Sequence, residues 1–495
     1  MMTRQEAETI YDAGKEAVVS VLLKMDARIH ALEQQVQELT ARLDISDRLV
    51  KKLENQIVKN SRNSSKPPST DGFKKPSPKS LRKKSKLKCG GQPGHKGHTL
   101  KMVEKPDHIE VHKIKECEHC RKSLIDQPID SIEKRQVYDL PPDIRLIVTE
   151  HQCETKRCKC GHINKSEFPE EVSAPVQYGT GVKAVAVYLK NYQFLPYERT
   201  SELLNDLFGC PIGKGTLVNI VSKCNGLAKI PVAQIKEQIT ESPVVHFDES
   251  GSRVEGTRWW LHSASTPNAT YYDVHRKRGS EATDEINILP WFYGRAIHDF
   301  WKPYFKYSCL HGLCNAHHLR ELVFVHEQHK QDWADNMITC LMDIKNAVDK
   351  AKQTAKYLDE NQIDEFEKYY QQVIDEGYEQ NLLPPLPANA KKKRGVRKKT
   401  KPRNLLERLD KYRAEALAFM YDFNVPFDNN QAERDIRMMK VQQKISGTFR
   451  SKDGANTFCR IRSYISTARK NAVGAFDALT LLFEGKPFVP TRDLC

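Results

Sequence analysis

From Val18 onward, apolar residues recur in a 4–3 alternation at Leu22, Met25, Ile29, Leu32, Val36, Leu39, Leu43, Val50, Leu53 and Ile57, and only Ser46 interrupts the seam. A repeat close to 3.5 residues keeps one stripe against a partner as helices supercoil, so residues 1–60 are expected to form a left-handed coiled coil. A single amphipathic helix packed on the body is the competing reading. The next strong pattern has another period. Val244-Val245-His246-Phe247 is a short apolar run that stops at Asp248 and Glu249, with Gly251 two residues on. Runs of this length, rich in β-branched and aromatic residues, read as buried strands, and glycine marks the turn. Residues 257–264 and 269–274 predict two more strands, separated by Pro267 and Asn268, and residues 294–299 a fourth that ends at Asp299.

Helical patterns surround these strands. Residues 197–208 are amphipathic, Gly209 to Gly213 break the pattern, and a second helix is expected from Thr216 to Cys224. Helix, short glycine-containing turn and helix fit a DNA-reading helix-turn-helix, although plain helical hairpins share the pattern. Residues 326–375 are charged and helical, and residues 461–470 predict a closing helix. A further helix opens after Pro426-Phe427, with Asp428 or Asn429 as its N-cap. Along it Glu433, Arg437, Lys440 and Lys444 share one face while Ile436 and Met439 turn toward a core. One carboxylate at the head of a cationic stripe suits a phosphodiester better than bulk water.

Between the coiled coil and the strands the chain is punctuated rather than patterned. Asn60 to Gly72 is polar with tandem prolines, so it is a linker. Beyond it Lys74, Lys75, Lys79, Arg82, Lys83, Lys84, Lys86 and Lys88 follow with no acid among them. Such a run holds phosphates by counterion release, or simply stays solvated. Gly90 to His98 lacks the spacing of a phosphate-binding loop. A second basic run, residues 391–401, is as compatible with solvent as with DNA. Across the 495 residues Lys plus Arg number 79 against 64 Asp plus Glu, a net charge of +15 that points to a polyanionic partner. No apolar run reaches the roughly 18 residues of a membrane-spanning helix, and no signal-peptide core is evident. The expectation is a soluble cytoplasmic, nucleoid-associated protein whose 13 cysteines serve as thiols or metal ligands.

Cys117-x2-Cys120 is followed by Cys153, Cys158, Cys160 and His162. Two thiolates on each of two knuckles satisfy tetrahedral zinc, with Cys117, Cys120, Cys158 and Cys160 as first choice and Cys153 or His162 as replacements in the second pair. Four protein ligands would make that Zn²⁺ structural. Residues 135–150 alternate enough to predict strand between the knuckles. Buried free thiols are the alternative. Cys314-x2-His317-His318, with Cys309 and His311 nearby, is read as packing or positioning in preference to metal binding, since no second ligand pair is evident. Asp248 and Asp299, at the ends of neighbouring strands, with Glu433 from far downstream, make an oxygen-only set that selects Mg²⁺ or Mn²⁺. Two such ions about 4 Å apart activate an attacking oxygen and stabilise a leaving one.

Asn63-Ser-Ser-Lys-Pro-Pro-Ser69, Gly90-Gly-Gln-Pro-Gly-His-Lys-Gly97, the cysteine module, Phe247-Asp-Glu-Ser250, His298-Asp299 with Tyr304, Cys314-Asn-Ala-His317 and Asn429-Asn-Gln-Ala-Glu-Arg-Asp-Ile-Arg437 occur in this order. Together they resemble the transposase of the insertion-sequence-66 family. The resemblance implies a multidomain α+β chain: N-terminal coiled coil, small zinc-binding β module, helix-turn-helix region, and an RNase-H-like catalytic core interrupted by a helical insertion. The expected segments are 1–60 coiled coil, 61–110 basic linker, 111–175 zinc module and 176–240 helix-turn-helix. The core follows as 241–325 and 425–486, around an insertion at 326–424, with a loosely held tail at 487–495. By the same resemblance Asp248, Asp299 and Glu433 are the Asp-Asp-Glu triad of a DNA transposase that cleaves and joins strands. Leucine-zipper and zinc-finger regions correspond to residues 18–57 and 117–160, and the shortened Cys158-x-Cys160 knuckle departs from the pattern. Arg437, Lys440, Lys444, Lys83 and Lys84 are the DNA-binding candidates. Element ends, target DNA, a second copy of the chain and companion proteins of the same element are the candidate partners. A nuclease that cuts without joining and a non-catalytic DNA-binding regulator are the alternatives.

Overall fold

The computed structural model describes residues 3–57, 59, 63, 102–138, 145–383 and 399–490. The basic run containing Lys83 and Lys84, and most of the run at 391–401, lie outside them. Within the described residues no helix is long and apolar enough to cross a membrane. Helix α1 (Arg4–Asp12) is closed at its start by a reciprocal cap between Thr3 and Glu6. Gly14, at φ +102°, then redirects the chain into α2 (Lys15–Ile57). The 43 residues of α2 form one unbroken helix, about 64 Å long at 1.5 Å per residue. Its seam residues stay outward on the single chain; Leu32 is 51% and Leu39 64% exposed.

In the cysteine region β1 (Thr155–Arg157) pairs antiparallel with β2 (Ile163–Lys165), and their turn carries Cys158 and Cys160. The expected strand over 135–150 does not form in its described parts. Val137, Ile147 and Val148 all face solvent, so the alternation has no apolar layer to pack on.

The chain folds into two compact units. Of the described residues, one takes in 102–138, 145–235, 252–257 and 438–490. It contains α3 (Thr180–Val187), α4 (Tyr197–Phe208) and α5 (Lys214–Leu227). Gly209 ends α4 in the left-handed conformation, and α5 starts two residues ahead of the expected Thr216. Leu217, Ile220, Val221 and Cys224 bury one face of α5, while Lys214, Thr216, Asn219, Ser222 and Lys223 stay exposed on the other. After α6 (Lys229–Glu241) the chain enters the sheet.

The other unit, described residues 3–57, 59, 63, 236–251, 258–383 and 399–437, contains that five-stranded sheet. Its strands are β3 (Val244–Val254), β4 (Thr257–Ser265), β5 (Thr270–His275), β6 (Arg295–His298) and β7 (Leu310–Leu313), arranged β5-β4-β3-β6-β7. The first three form a meander; β6 and β7 join the other side of β3 in parallel. Gly251 does not end β3 as the pattern predicts. It is extended, and the turn lies at Glu255 and Gly256, both with positive φ. Parallel pairing stops earlier, at His246 opposite Ile297. Asp248 therefore lies just beyond the end of parallel pairing and Asp299 just beyond β6. The carboxyl ends of parallel strands are where open sheets bind ligands.

Helix α7 (Ser280–Ile286) precedes β6, and a run of helices follows β7: α8 (Asn315–His329), α9 (Asp332–Ala351), α10 (Glu360–Gln380), α11 (Lys401–Lys411), α12 (Arg413–Ala416) and α13 (Ala418–Tyr421). Trp333, Met337, Leu341, Ile344, Tyr370, Val373, Leu406 and Leu409 are buried in its core. Gly377 lets α10 approach α11: a Cβ there would lie 2.6 Å from Leu406 Cδ1. Then come α14 (Asn430–Ser446), α15 (Lys452–Lys470) and α16 (Ala475–Phe483). The described part of the tail is tied down, since the Phe488 N–H donates to the Tyr464 hydroxyl at 2.9 Å.

Asn429, immediately before α14, fixes that helix to the sheet. It is 1% exposed. Its amide donates to the Phe247 carbonyl at 2.8 Å, its Oδ1 meets His246 Nδ1 at 2.8 Å, and its backbone N–H donates to Cys314 Sγ at 3.1 Å. The capping expected of Asp428 or Asn429 falls to Asp428, whose Oδ1 accepts the Asn430 N–H at 3.0 Å. The Tyr272 hydroxyl adds a bond from β5 to the Asp435 carbonyl at 2.8 Å. Leaving a buried group unpaired costs about 1–3 kcal/mol. Asn429→Ala removes its side-chain bonds to the Phe247 carbonyl and to His246 and is expected to lower the unfolding free energy by about 2–4 kcal/mol in denaturant titration; a loss under about 0.5 kcal/mol, within the range of an ordinary surface substitution, would deny the clamp its role.

Candidate active site

The sheet and its clamp bring four carboxylates into one neighbourhood. Burial pushes the Asp248 carboxyl well above the usual carboxylate range, and Glu249, Asp299 and Glu433 push it further. Of the acids singled out in the sequence, Asp299 and Glu433 thus lie near enough to act on the third, Asp248. Asp248 Oδ1 accepts the Glu249 N–H at 2.8 Å, which offsets part of this.

Glu249 was quoted in the sequence motif without a role, and its surroundings are the most elaborated in the site. Its side chain is 3% exposed. The Tyr304 hydroxyl donates to Oε1 at 2.5 Å and Arg278 Nη2 reaches Oε2 at 3.3 Å. Burial, then Asp299, raises its carboxyl to about 7 against these two donors. Arg278 also lies 4.0 Å from Asp299 Oδ2, with its guanidinium 4.0 Å from the Trp301 ring centre and 5.0 Å from that of Trp260. The indoles hold the cation between two acids. Nothing in the local sequence marks Arg278; it reaches the site because β5 ends nearby. Behind Tyr304, fully buried His298 stacks on the phenol ring at 4.6 Å and its Nε2 meets His311 Nδ1 at 3.1 Å. Burial, then His311, drops His298 to about 3, so it is a neutral buttress.

Glu433 stands on the first turn of α14, with Ile436 and Met439 buried behind it and Arg437, Lys440 and Lys444 exposed along the helix, as their spacing predicts. Its Oε1 lies 3.9 Å from His317 Nδ1 and 4.0 Å from Arg320 Nη2, and its Oε2 4.0 Å from Arg437 Nη2. Cys314, His317 and Glu433 bring their ligand atoms within 4.8 Å of one another. The sequence places Cys314 and His317 one helical turn apart but holds no sign that Glu433 completes the set.

The two cysteine knuckles are formed separately. Cys117 N–H donates to the Lys122 carbonyl at 2.9 Å and Cys158 N–H to the His162 carbonyl at 2.8 Å. The N–H groups of Cys120 and His119 hold the Cys117 thiol below its ordinary range, and the Cys160 N–H does the same for Cys158. A lowered thiol favours the thiolate, the form that binds metal. The two pairs are not drawn into a single cluster among the described residues.

Against this geometry, comparison with family models is decisive. Residues 175–457, more than half of the chain, match the family described as Transposase IS66 family. The chain belongs to that family. Asp248, Asp299, Glu433 and the Cys314–His317 pair all fall inside the matched span. Residues 19–101 match a second model, described as a family of unknown function (DUF6444), which covers most of the α2 helix and the linker. No curated protein matches the chain. As a member of the IS66 transposase family the protein is a DNA-processing enzyme.

The raised Glu249 carboxyl gives a signed test. A carboxyl raised on folding favours the folded state at low pH and loses that contribution as pH rises from about 4.5, its ordinary value, through about 7. In chelator-treated protein, the unfolding free energy of wild type relative to Glu249→Gln is expected to fall across that window. A difference that stays flat from pH 4 to pH 8 would show that Glu249 is not perturbed.

Proposed function

We propose that this IS66-family chain is an Asp-Asp-Glu DNA transposase acting through an RNase-H-like core, with Asp248, Asp299 and Glu433 as its catalytic carboxylates. The observation that carries the reading is that three distant chain segments bring Glu249, Asp299 and Glu433 near the buried Asp248 carboxyl, with α14 clamped to β3 through Asn429. The strand order β5-β4-β3-β6-β7, an antiparallel meander followed by two parallel strands, supports the fold assignment.

The donor set fits a hard divalent cation. Carboxylates crowd together just past the point where β3 and β6 stop pairing, with Arg278 as a partial counter-charge, and burial already disfavours ionisation of Asp248 and Glu249. Oxygen-only ligation selects Mg²⁺ or Mn²⁺. Asp248 and Asp299 would hold one ion and Glu433 would complete a second site. When bound, such ions supply Lewis acidity to the attacking and leaving oxygens. The reaction class is phosphoryl transfer: water cleaves a phosphodiester at the end of the element, and the freed 3′-hydroxyl attacks target DNA. Glu249 acts behind the ligands, where Tyr304 and Arg278 fix it, and so fixes the backbone on which Asp248 sits. Arg437, Lys440 and Lys444 line up to hold phosphates, and the exposed face of α5 offers groove-reading side chains at the terminal inverted repeats. Zn²⁺ bound by Cys117, Cys120, Cys158 and Cys160 would join the two knuckles as a structural site. The exposed seam of α2 is the surface through which two copies pair, each delivering one element end.

Two measurements follow. With labelled element ends, Mg²⁺ and supercoiled target, wild type is expected to yield joined products, and Asp248→Asn, Asp299→Asn and Glu433→Gln no cleavage while still binding DNA; cleavage that survives all three substitutions refutes the triad, and cut ends without joining reassign the chain as a nuclease. In light scattering, wild type is expected at twice the chain mass or more and Leu32→Asp/Leu39→Asp at one chain mass. Equal masses for the two would remove α2 as the pairing surface.

A further inference from the structure

Among the described residues, one cluster of possible metal ligands sets Glu433 beside two side chains that this mechanism does not use. Cys314 precedes α8 and His317 occupies its first turn, so both side chains project from the same face one turn apart. Glu433 occupies the first turn of α14. The two helix starts are tied together twice: the Asn429 N–H donates to Cys314 Sγ at 3.1 Å, and the Asn315 N–H donates to the Phe427 carbonyl at 3.1 Å. Their three ligand atoms fall within 4.8 Å of one another as a result.

His317 Nδ1 and Glu433 Oε1 face each other at 3.9 Å, both are buried, and neither has a hydrogen-bond partner. Buried polar atoms nearly always have one, so a facing pair of orphans points to a missing occupant. His318, the next residue, is instead satisfied by Asn315 Oδ1 at 3.1 Å. Arg320 is the competing cation, but at 4.0 Å from Oε1 it stands outside hydrogen-bond reach.

We propose that Cys314, His317 and Glu433 form a site for a soft divalent cation, Zn²⁺ foremost, whose occupation takes Glu433 away from the oxygen-only site. Thiolate and imidazole select zinc over magnesium. Ligand atoms about 2.0–2.3 Å from a tetrahedral zinc lie about 3.3–3.8 Å from each other, so modest side-chain rotation closes the set. On binding, the cysteine thiol yields its proton to solvent as the zinc–sulfur bond forms. Three protein ligands leave the fourth position to water. The binding claim stands on this geometry alone. Its consequence rests on the triad reading: Zn²⁺ would inhibit cleavage supported by Mg²⁺ by holding Glu433 in the wrong set.

Co²⁺ reports the site optically, because cobalt–thiolate charge transfer absorbs in the near ultraviolet. Full-length, metal-stripped, reduced protein is titrated with Co²⁺ and Zn²⁺, both as wild type and in a background with Cys117, Cys120, Cys158 and Cys160 changed to Ser. The background is expected to retain one equivalent of Co²⁺ with a thiolate band. Adding Cys314→Ser should abolish the band, and adding His317→Gln should weaken binding at least tenfold; in otherwise wild-type protein each should lower the bound metal by one equivalent. Circular dichroism checks folding, and His317, partly exposed on its helix, carries the comparison where Cys314→Ser does not fold. No thiolate band in the folded background, or a band unchanged by both substitutions, overturns the proposal. A chain that binds Co²⁺ in this way yet never cleaves DNA with Mg²⁺ sinks the triad reading and leaves the site standing. Cleavage that is equally sensitive to Zn²⁺ in wild type and Cys314→Ser overturns the competition for Glu433.

Discussion

The buried side chain of Asn429 is the constraint on which the site depends. One amide spans 182 positions of sequence to reach the Phe247 carbonyl and 183 to reach His246, while the same residue's N–H reaches Cys314 across 115. Those bonds gather the strand that carries Asp248, the entry to α8 and the helix that carries Glu433. A long helical stretch lies between the second and third acids, and its buried core around Trp333 and Tyr370 runs on to Ile297 of β6. Without a fixed point at α14, Glu433 would depend on how those helices pack. Buried and fully bonded, Asn429 converts a long connection into a local geometry.

A second constraint opposes the first. Bringing Asp299 and Glu433 near the buried Asp248 and Glu249 raises the cost of ionising Asp248 and Glu249. The fold offsets this incompletely. Arg278, braced by Trp260 and Trp301, neutralises part of the charge near Glu249 and Asp299, and Tyr304 donates to Glu249. Around Glu433 the cations are Arg320 and Arg437, each 4.0 Å away. The fold therefore holds unfavourable charge in place at the end of the sheet, where a cation or a substrate phosphate with its metal would meet it.

Much of this was legible in the sequence, for identifiable reasons. The 4–3 apolar seam admits only one period, so α2 was readable nearly to its ends. β3 to β6 were readable because apolar runs stop abruptly at turn residues, and the stripe on α14 because helical spacing is regular; β7 (Leu310–Leu313) was not read, since four residues carry too short a pattern. The misreadings are local. Gly251 resembles a turn but is extended within β3, because the positive-φ pair sits later, at Glu255 and Gly256. Residues 135–150 alternate, yet alternation makes a strand only where a neighbour offers hydrogen bonds and a layer to pack on. Cross-chain partners left no local trace. Arg278 between its indoles, and Glu433 beside Cys314 and His317, are products of topology. Asn429 illustrates the difference: its place before a helix suggests a cap, whereas its side chain turns inward and leaves capping to Asp428.

The central claim is that side chains from three distant segments share a divalent cation. Fe²⁺ in place of Mg²⁺, with ascorbate and peroxide, generates hydroxyl radicals at the bound ion and cuts the backbone beside it; fragment masses then locate the ion. Cuts clustered near residues 248, 299 and 433 together, suppressed by excess Mg²⁺ and lost in Asp248→Asn, are the expected result. Cuts confined to one of these segments, or falling elsewhere and indifferent to Mg²⁺, would contradict a shared site.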